Sequence, residues 1–216
     1  MLIESIVSRI QKLGNGATTA LRQTAFGSLA VAQVEPAGAE ASRAGRRFLL
    51  GNNAGITGIA PVTVMPTTAA QWAIWNLDPL KSLEFEQLGM YLTAGTPGVG
   101  GVLLACLFTT PAQTAGSQTG CAITSASNGA LASKAICKQS VSITTPAAPN
   151  WFPVASNFGS NVTAFASSTY LENRSLDGRL IVPPGQGLGL AVVSPAGTTP
   201  LFAPFAMWVE DDADLV

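Results

Sequence analysis

The sequence predicts an all-β fold, a jelly-roll-like β-sandwich preceded by a short N-terminal helix and an extended arm. Only 11% of the 216 residues are charged, which leaves too few Lys, Glu and Arg side chains for the surfaces of a helical bundle. Apolar residues make up 47%, enough for a core, and 22 Gly and 14 Pro supply many turns. About eight short apolar or alternating segments, separated by turn signals, favour a β-sandwich or jelly roll.

The predicted strands follow one another from residue 47 onwards. They cover residues 47–52, 72–77, 83–93, 100–109, 134–144, 162–171, 178–183, 187–194 and 201–210. Alternation of apolar and polar residues is clear in Ser140–Thr144, and turn-forming sequences such as Asn128-Gly129 and Asp177-Gly178 separate the segments. The long stretches between them are predicted as connecting loops, at residues 53–70, 110–133 and 145–161.

The first 46 residues are predicted as a separate part, a helix and anchoring arm, with the β-sandwich domain at 47–216. Apolar residues recur at helical spacing, at Leu2, Ile3, Ile6, Val7, Ile10 and Leu13. So short a helix is not stable alone, so its apolar face needs a surface on its own domain or on a partner. Residues 1–50 hold six basic and three acidic side chains, a net charge of +3, against −4 for the remainder.

We predict that this N-terminal part binds a partner protein. The residues that would do so are Leu2, Ile3, Ile6, Ile10 and Leu13 on the helix, and Arg43, Arg46 and Arg47 before the first strand. The three arginines have no interleaved aromatic residues, so we do not expect nucleic acid as the ligand.

The composition excludes several kinds of catalytic site. The chain contains no histidine, so Ser-His-Asp triads, Cys-His pairs and histidine metal sites are absent. Glu84 and Glu86 share one face of a predicted strand and could act as a glycosidase acid and base, but a solvated strand face is the plainer interpretation. The sequence therefore predicts a protein that is not an enzyme and that uses no cofactor and no metal ion.

The cysteines and the most apolar segment also have plain interpretations. Cys106 lies within that segment, residues 99–108, which is about half the length of a membrane-spanning helix, so no membrane is expected. Cys106 is predicted to be buried. Cys121 and Cys137 flank a Gly- and Ser-rich stretch and are either thiols or the two ends of a disulfide.

Trp151 and Phe152 are predicted to form a contact loop. They stand between Pro149 and Pro153, which favours a rigid, exposed aromatic pair. The other interpretation is packing in the core or at a subunit interface. Trp72 and Trp75 lie three residues apart, so a strand places them on opposite faces and they cannot form one binding platform.

Two stretches resemble structural proteins of tailed-bacteriophage virions. Thr24–Ala32, which reads TAFGSLAVA, is similar to an AFGxLxV element near the N-terminus of such proteins, and Glu35-Pro36 follows it. The C-terminal run is similar to their closing strands, which read as a hydrophobic strand, PPG, a second hydrophobic strand and WxE. Here these are Gly178–Gly185, with Pro183-Pro184-Gly185, and then Leu188–Val192 and Trp208-Val209-Glu210.

The resemblance implies a non-enzymatic structural component of a phage virion, such as a capsid-associated decoration protein or a head–tail protein. It implies action through subunit contacts, with a homotrimer expected by analogy and other virion proteins, such as the major capsid protein, as partners. The expected location is the virion, assembled in the bacterial host cytoplasm. The alternative function is a carbohydrate-binding or host-adhesion module on a phage tail or fibre, with Trp151 and Phe152 contacting the glycan.

Overall fold

The computed structural model describes residues 4–6, 18–20, 39–52, 58–96, 101–109, 121–127, 132–157, 171–194 and 198–213. The chain divides into two units, residues 1–39 and residues 40–216. In the first unit, β1 (Glu4–Ile6) pairs antiparallel with β2 (Thr18–Ala20). A short helix, α1 (Ala39–Arg43), falls at the division between the units.

The predicted N-terminal helix is wrong over Glu4–Ile6, which form a strand. A helix of this length is marginal in water because its nucleation is costly. Antiparallel pairing with Thr18–Ala20 satisfies the same backbone groups, and Gly14-Asn15-Gly16, a sequence typical of chain reversal, stands between the two strands. The other residues of the predicted helix face and the stretch Thr24–Ala32 lie outside the described residues; those of the helix face are Leu2, Ile3, Val7, Ile10 and Leu13.

The described residues of the second unit form ten strands. They are β3 (Arg47–Asn52), β4 (Ala69–Trp75), β5 (Lys81–Thr96), β6 (Gly101–Phe108), β7 (Cys121–Ser125), β8 (Ile136–Ser142), β9 (Phe152–Asn157), β10 (Leu171–Val182), β11 (Gly187–Val193) and β12 (Thr198–Asp212).

These strands build two antiparallel sheets, which confirms the predicted β-sandwich. Sheet 1 has the order β10-β5-β12-β3-β7, and sheet 2 has the order β8-β4-β11-β6-β9. Without β7 and β8 the arrangement is a jelly roll, because the first strand pairs with the last, β3 with β12, and the second pairs with the last but one, β4 with β11. β7 and β8, consecutive in the chain, each add a strand to the edge of one sheet.

Two strands lie where the sequence predicts long loops. β7 falls within residues 110–133, and β9 falls within residues 145–161. Both are edge strands, and β9 contains Pro153, a residue that argues against a strand in a sequence pattern but is tolerated at a sheet edge. Residues 162–170 of the strand predicted at 162–171 lie outside the described residues.

The core lies between the two sheets and consists of inward-facing side chains from both. Sheet 1 contributes Phe48, Leu50, Leu83, Phe85, Leu88, Met90, Phe202 and Trp208, and sheet 2 contributes Trp72, Ile74, Leu103, Leu188, Leu190 and Val192. Trp208 packs between two phenylalanines, with ring centroids 6.3 Å from Phe48 and 5.7 Å from Phe85. The predicted C-terminal apolar run therefore supplies a central strand of the sandwich.

A second apolar cluster lies on the outer face of sheet 2. It consists of Ala70, Ala73, Trp75, Cys106, Phe108, Val141 and Ile143. Residues 143–151, which connect β8 at one edge of the sheet to β9 at the other, cross this face. A Cβ on Gly189 would lie 2.8 Å from the Ile143 Cδ1 atom, so Ile143 reaches the central strand β11. The chain thus covers the outer face of sheet 2 with its own residues.

Candidate functional site

The outer face of sheet 1 carries an apolar stripe, defined by Leu49 on β3 and Phe205, Met207 and Val209 on β12. Their neighbours in sequence, such as Phe48, Ala206 and Trp208, point into the core, so these four residues point outward. Leu49 and Met207 are directly paired across the two strands. Phe205 is paired with Gly89 on β5, which contributes no side chain to the outer face.

The stripe is unusual for an antiparallel sandwich, in which outward-facing residues are polar. No described segment crosses this face in the way that residues 143–151 cross sheet 2. Leu49, Phe205 and Met207 are half-buried by their neighbours in the sheet, and Val209 is buried. The stripe is therefore the surface that we consider as the candidate functional site.

Charged pairs border one end of the stripe. Arg47 Nη2 lies 2.5 Å from Glu86 Oε1, and Arg47 Nη1 donates to the Ser42 hydroxyl at 3.1 Å. Glu86 stands where the pairing of β5 with β12 shifts, between Met207 and Trp208, and a bulge re-aims the side chain of its extra residue. Arg46 forms an ion pair with Asp211.

The predicted partner-binding arginines thus lie in the second unit, not in the first. Arg46 and Arg47 make ion pairs with acidic residues of the sandwich, a role that the sequence prediction did not include. Arg43 is in the last turn of α1. Partner binding by these residues stays a prediction.

A buried asparagine, Asn76, stabilises the end of the sandwich where β4 ends and β5 begins. Asn76 is fully buried, and its side-chain amide donates to Lys81 O at 2.7 Å and Val182 O at 3.0 Å. Its backbone N–H donates to Gln186 O, and its carbonyl accepts from Gly185 N. One residue therefore joins the β4–β5 loop to the turn between β10 and β11.

Asp78 continues this network. Its Oδ1 atom accepts from the Leu80 N–H at 2.9 Å, and its Oδ2 atom lies 3.2 Å from Lys134 Nζ. Burial acts to raise the pKa of Asp78, but the Leu80 amide and the ammonium groups of Lys134 and Lys81 outweigh it and hold that pKa below its ordinary value. The resulting loop presents Leu77 and Leu80 to solvent, 41% and 72% exposed.

Trp151 and Phe152 differ from each other in their surroundings. Trp151 packs against the outer cluster of sheet 2, and its indole N–H donates to Thr67 O at 3.0 Å. Phe152 opens β9 and is 37% exposed. Phe152 is the more exposed of the two aromatic residues, and the second interpretation of Trp151, packing, describes its position.

The potentially reactive side chains are those of two glutamates and two cysteines. Glu86 forms an ion pair with Arg47, and Glu84 is paired across sheet 1 with Ile181 and Val209. Cys106 is fully buried, as predicted, and burial raises the pKa of its thiol to about 12. Cys137 is a buried thiol. The part of the chain that the structure describes holds no group of three or more His, Cys, Asp or Glu side chains able to bind a metal ion.

Comparisons with known proteins identify no relative: no protein family, no curated protein and no solved structure matches the chain. Among the described residues, no helix has both the length and the apolar character to cross a lipid bilayer.

The apolar stripe was missed by the sequence analysis, although a signal for it exists. Residues 205–209 read Phe-Ala-Met-Trp-Val without alternation, and a strand without alternation is apolar on both faces. The hydrogen-bonding roles of Asn76 and Asp78 were not predicted either. Lys81 and Leu80 are close to them in sequence, but Val182, Gln186 and Lys134 come from distant parts of the chain.

Proposed function

We propose that the chain is a non-enzymatic structural component of a bacteriophage virion that assembles as a homotrimer through subunit–subunit contacts. The observation that carries the proposal is the apolar stripe of Leu49, Phe205, Met207 and Val209 on the outer face of sheet 1. Removing apolar surface from water contributes about 25 cal/mol per Å². Leu49, Phe205 and Met207 are only half-buried in a single subunit, so a contact between subunits that covers them gains the remaining part of this energy.

The fold, the composition and the sequence resemblance support the same proposal. Jelly rolls occur in viral capsid proteins, but also in lectins and cupins, so the fold alone does not select a function. A content of 11% charged residues suits surfaces that neighbours cover, because charged residues are depleted at the centre of contacts. The similarity of Thr24–Ala32 and the closing strands to phage virion proteins supplies the phage assignment, with the major capsid protein as the expected partner.

Association is tested by light scattering after size exclusion on the full chain and on two Met→Asp variants. We expect the wild type at three times 22.1 kDa, or at a multiple of that trimer mass. Met207→Asp places a charge in the stripe and should abolish the trimer. Met65→Asp is the matched control, because Met65 is 61% exposed in the loop before β4 and away from the stripe. Equal masses for all three proteins would contradict a contact at the stripe.

The virion role is tested by mass spectrometry of purified particles of the phage that encodes the chain. We expect the protein at a fixed ratio to the major capsid protein after washing in high salt, because apolar contacts resist salt. Its absence from the particles would overturn the virion assignment, even if the purified protein is a trimer.

A further inference from the structure

The sandwich has four edge strands, β10 and β7 in sheet 1 and β8 and β9 in sheet 2. An edge strand presents unpaired N–H and C=O groups to which another chain can add a strand. Proteins prevent this with prolines, lysines and bulges on the edge.

Three of the four edges carry such protection. β8 contains Lys138 and has Ser140 in the left-handed region, with a φ of 54°. β9 contains Pro153 and has an irregular register with β6, between Leu103 and Leu104. β10 has a register shift against β5 between Ser175 and Leu180, and charged residues Asp177 and Arg179 lie within that stretch.

β7 has none of these devices. Its sequence, Cys-Ala-Ile-Thr-Ser, contains no charged residue and no proline, and its register with β3 is unbroken over all five residues. Within the described ranges no strand pairs with its second edge. Its neighbour in sequence, Ala126, donates its N–H to Arg47 O at 2.9 Å, so every second residue bonds to β3. Ile123 and Ser125, with Cys121, therefore direct their backbone groups away from the sheet.

We propose that β7 pairs antiparallel with β7 of a second copy of this chain, about a two-fold axis at Ile123. A two-fold contact requires a segment that is complementary to itself. Centred on Ile123, all five residues pair, with Ala122 opposite Thr124, and no like charges meet. The Ile123 side chain packs against the core of the sandwich, so pairing extends sheet 1 of one copy into sheet 1 of the other. This contact uses the backbone edge of β7 and does not depend on the virion assignment. Because Thr124 is paired with Leu49 of the stripe, the two contacts are told apart by the loss of mass, which is twofold for the β7 contact and threefold for the trimer.

The test compares two Ser→Pro variants of the full chain by light scattering over a range of concentrations. Ser125→Pro removes an N–H that points away from the sheet, so it blocks the second edge of β7 and leaves the bonds to β3 intact. Ser142→Pro is the matched control on β8, where Ile143 N–H donates to Thr68 O and the N–H of Ser142 accordingly points outward. We expect an even multiple of 22.1 kDa for the wild type and for Ser142→Pro, and half the wild-type mass for Ser125→Pro.

A second variant controls for misfolding of Ser125→Pro. Thr124 is exposed on the outer face, and Thr124→Lys adds an edge lysine without changing the backbone. It should give the same twofold loss of mass while the far-UV circular dichroism spectrum is unchanged. A wild-type mass retained by Thr124→Lys, or by a folded Ser125→Pro, overturns the proposal.

The outcomes also separate this proposal from the proposed function. A wild-type trimer with no even multiple overturns the β7 contact and leaves the trimer standing. A wild-type dimer that Ser125→Pro converts to a monomer supports the β7 contact and overturns the trimer. A wild-type monomer at every concentration overturns both.

Discussion

Gly187 on β11 is required by its contact with Phe108 on the next strand. A Cβ at residue 187 would lie 2.2 Å from the Phe108 Cζ atom, and the Phe108 ring is itself held at 5.3 Å from the Trp75 ring, centroid to centroid. An added methyl group therefore has to displace a packed aromatic ring.

We predict that Gly187→Ala lowers the free energy of unfolding by about 1–3 kcal/mol, the usual range for overpacking. The control is Gly51→Ala on β3, where a Cβ would meet nothing within 4 Å. That variant should be as stable as the wild type or more stable by up to about 1 kcal/mol, because alanine restricts the unfolded chain. Urea denaturation measures both, and equal destabilisation of the two variants would contradict the assigned contact.

At the scale of the residue, the sequence predicted which side chains are buried but not which residues they contact. The opposite faces predicted for Trp72 and Trp75 are confirmed, since Trp72 lies in the core and Trp75 in the outer cluster. The pairing of Arg47 with Glu86 joins β3 to β5 across β12. Only the sheet order brings these two residues together, and the sequence does not contain that order in any local pattern.

At the scale of the element, the loop between β4 and β5 is stabilised by the charge of Asp78. Its pKa is held below the ordinary value in the folded protein, so at acid pH the unfolded chain binds more protons there than the folded chain does. The stability that Asp78 contributes is therefore present above the ordinary carboxyl pKa and is lost as the pH falls through the lowered one.

We predict that Asp78→Asn has a smaller loss of stability between neutral and acid pH than the wild type. The amide oxygen can still accept from the Leu80 N–H, but the attraction to Lys134 and Lys81 is removed. At neutral pH we expect a cost of about 1–3 kcal/mol, typical of a hydrogen-bonded charged group. Urea midpoints at pH 7 and pH 3 measure both effects. Parallel pH curves for the two proteins would show that Asp78 is not responsible.

Among the elements, the central strands and the edge strand β8 were predicted, whereas the edge strands β7 and β9 were not. β11 and β12 have long apolar runs and each lies between two neighbouring strands, and both were found close to their observed bounds. β7 and β9 have one neighbouring strand each, so fewer of their residues need to be apolar. In β9, Pro153 also argues against a strand in the sequence pattern. The helix predicted over Glu4–Ile6 is wrong because these residues pair with Thr18–Ala20, a partner that the spacing of the apolar residues does not reveal.

At the scale of the molecule, α1 and the residues after it are tied to the sandwich. Glu210 N–H donates to Arg46 O, and Arg46 forms an ion pair with Asp211. Sequence composition placed the end of the arm at residue 46, whereas the described contacts divide the chain after Ala39.

We predict that residues 40–216 fold alone into the sandwich and that residues 47–216 form a less stable one. The shorter chain loses the Arg46 ion pair, a partly exposed interaction that contributes about 0.2–1 kcal/mol. It also loses the hydrogen bond from Arg47 to the Ser42 hydroxyl and the backbone hydrogen bond from the Glu210 N–H to Arg46 O. The melting temperature should fall by about 2–4 °C per kcal/mol lost. Thermal unfolding followed by circular dichroism compares the two chains, and identical melting temperatures would place the boundary at residue 46.

The candidate site was the least predictable part of the molecule. The apolar stripe combines Leu49 from the first strand of the sandwich with Met207 from the last, and the two meet only because the jelly-roll order places β3 beside β12. A sequence pattern shows that a strand is apolar on both faces, but it does not show which strand lies beside it.

The pairing of β3 with β12 also determines how the sandwich bears a mechanical load. Arg47 at the start of β3 is directly opposite Val209 near the end of β12, so the chain enters and leaves the sandwich side by side at one end of sheet 1. A force that pulls these two points apart breaks the β3–β12 hydrogen bonds one after another, starting from this end of the ladder. Tension applied through both ends of the chain therefore meets little resistance from this ladder, because its bonds are never loaded together in shear.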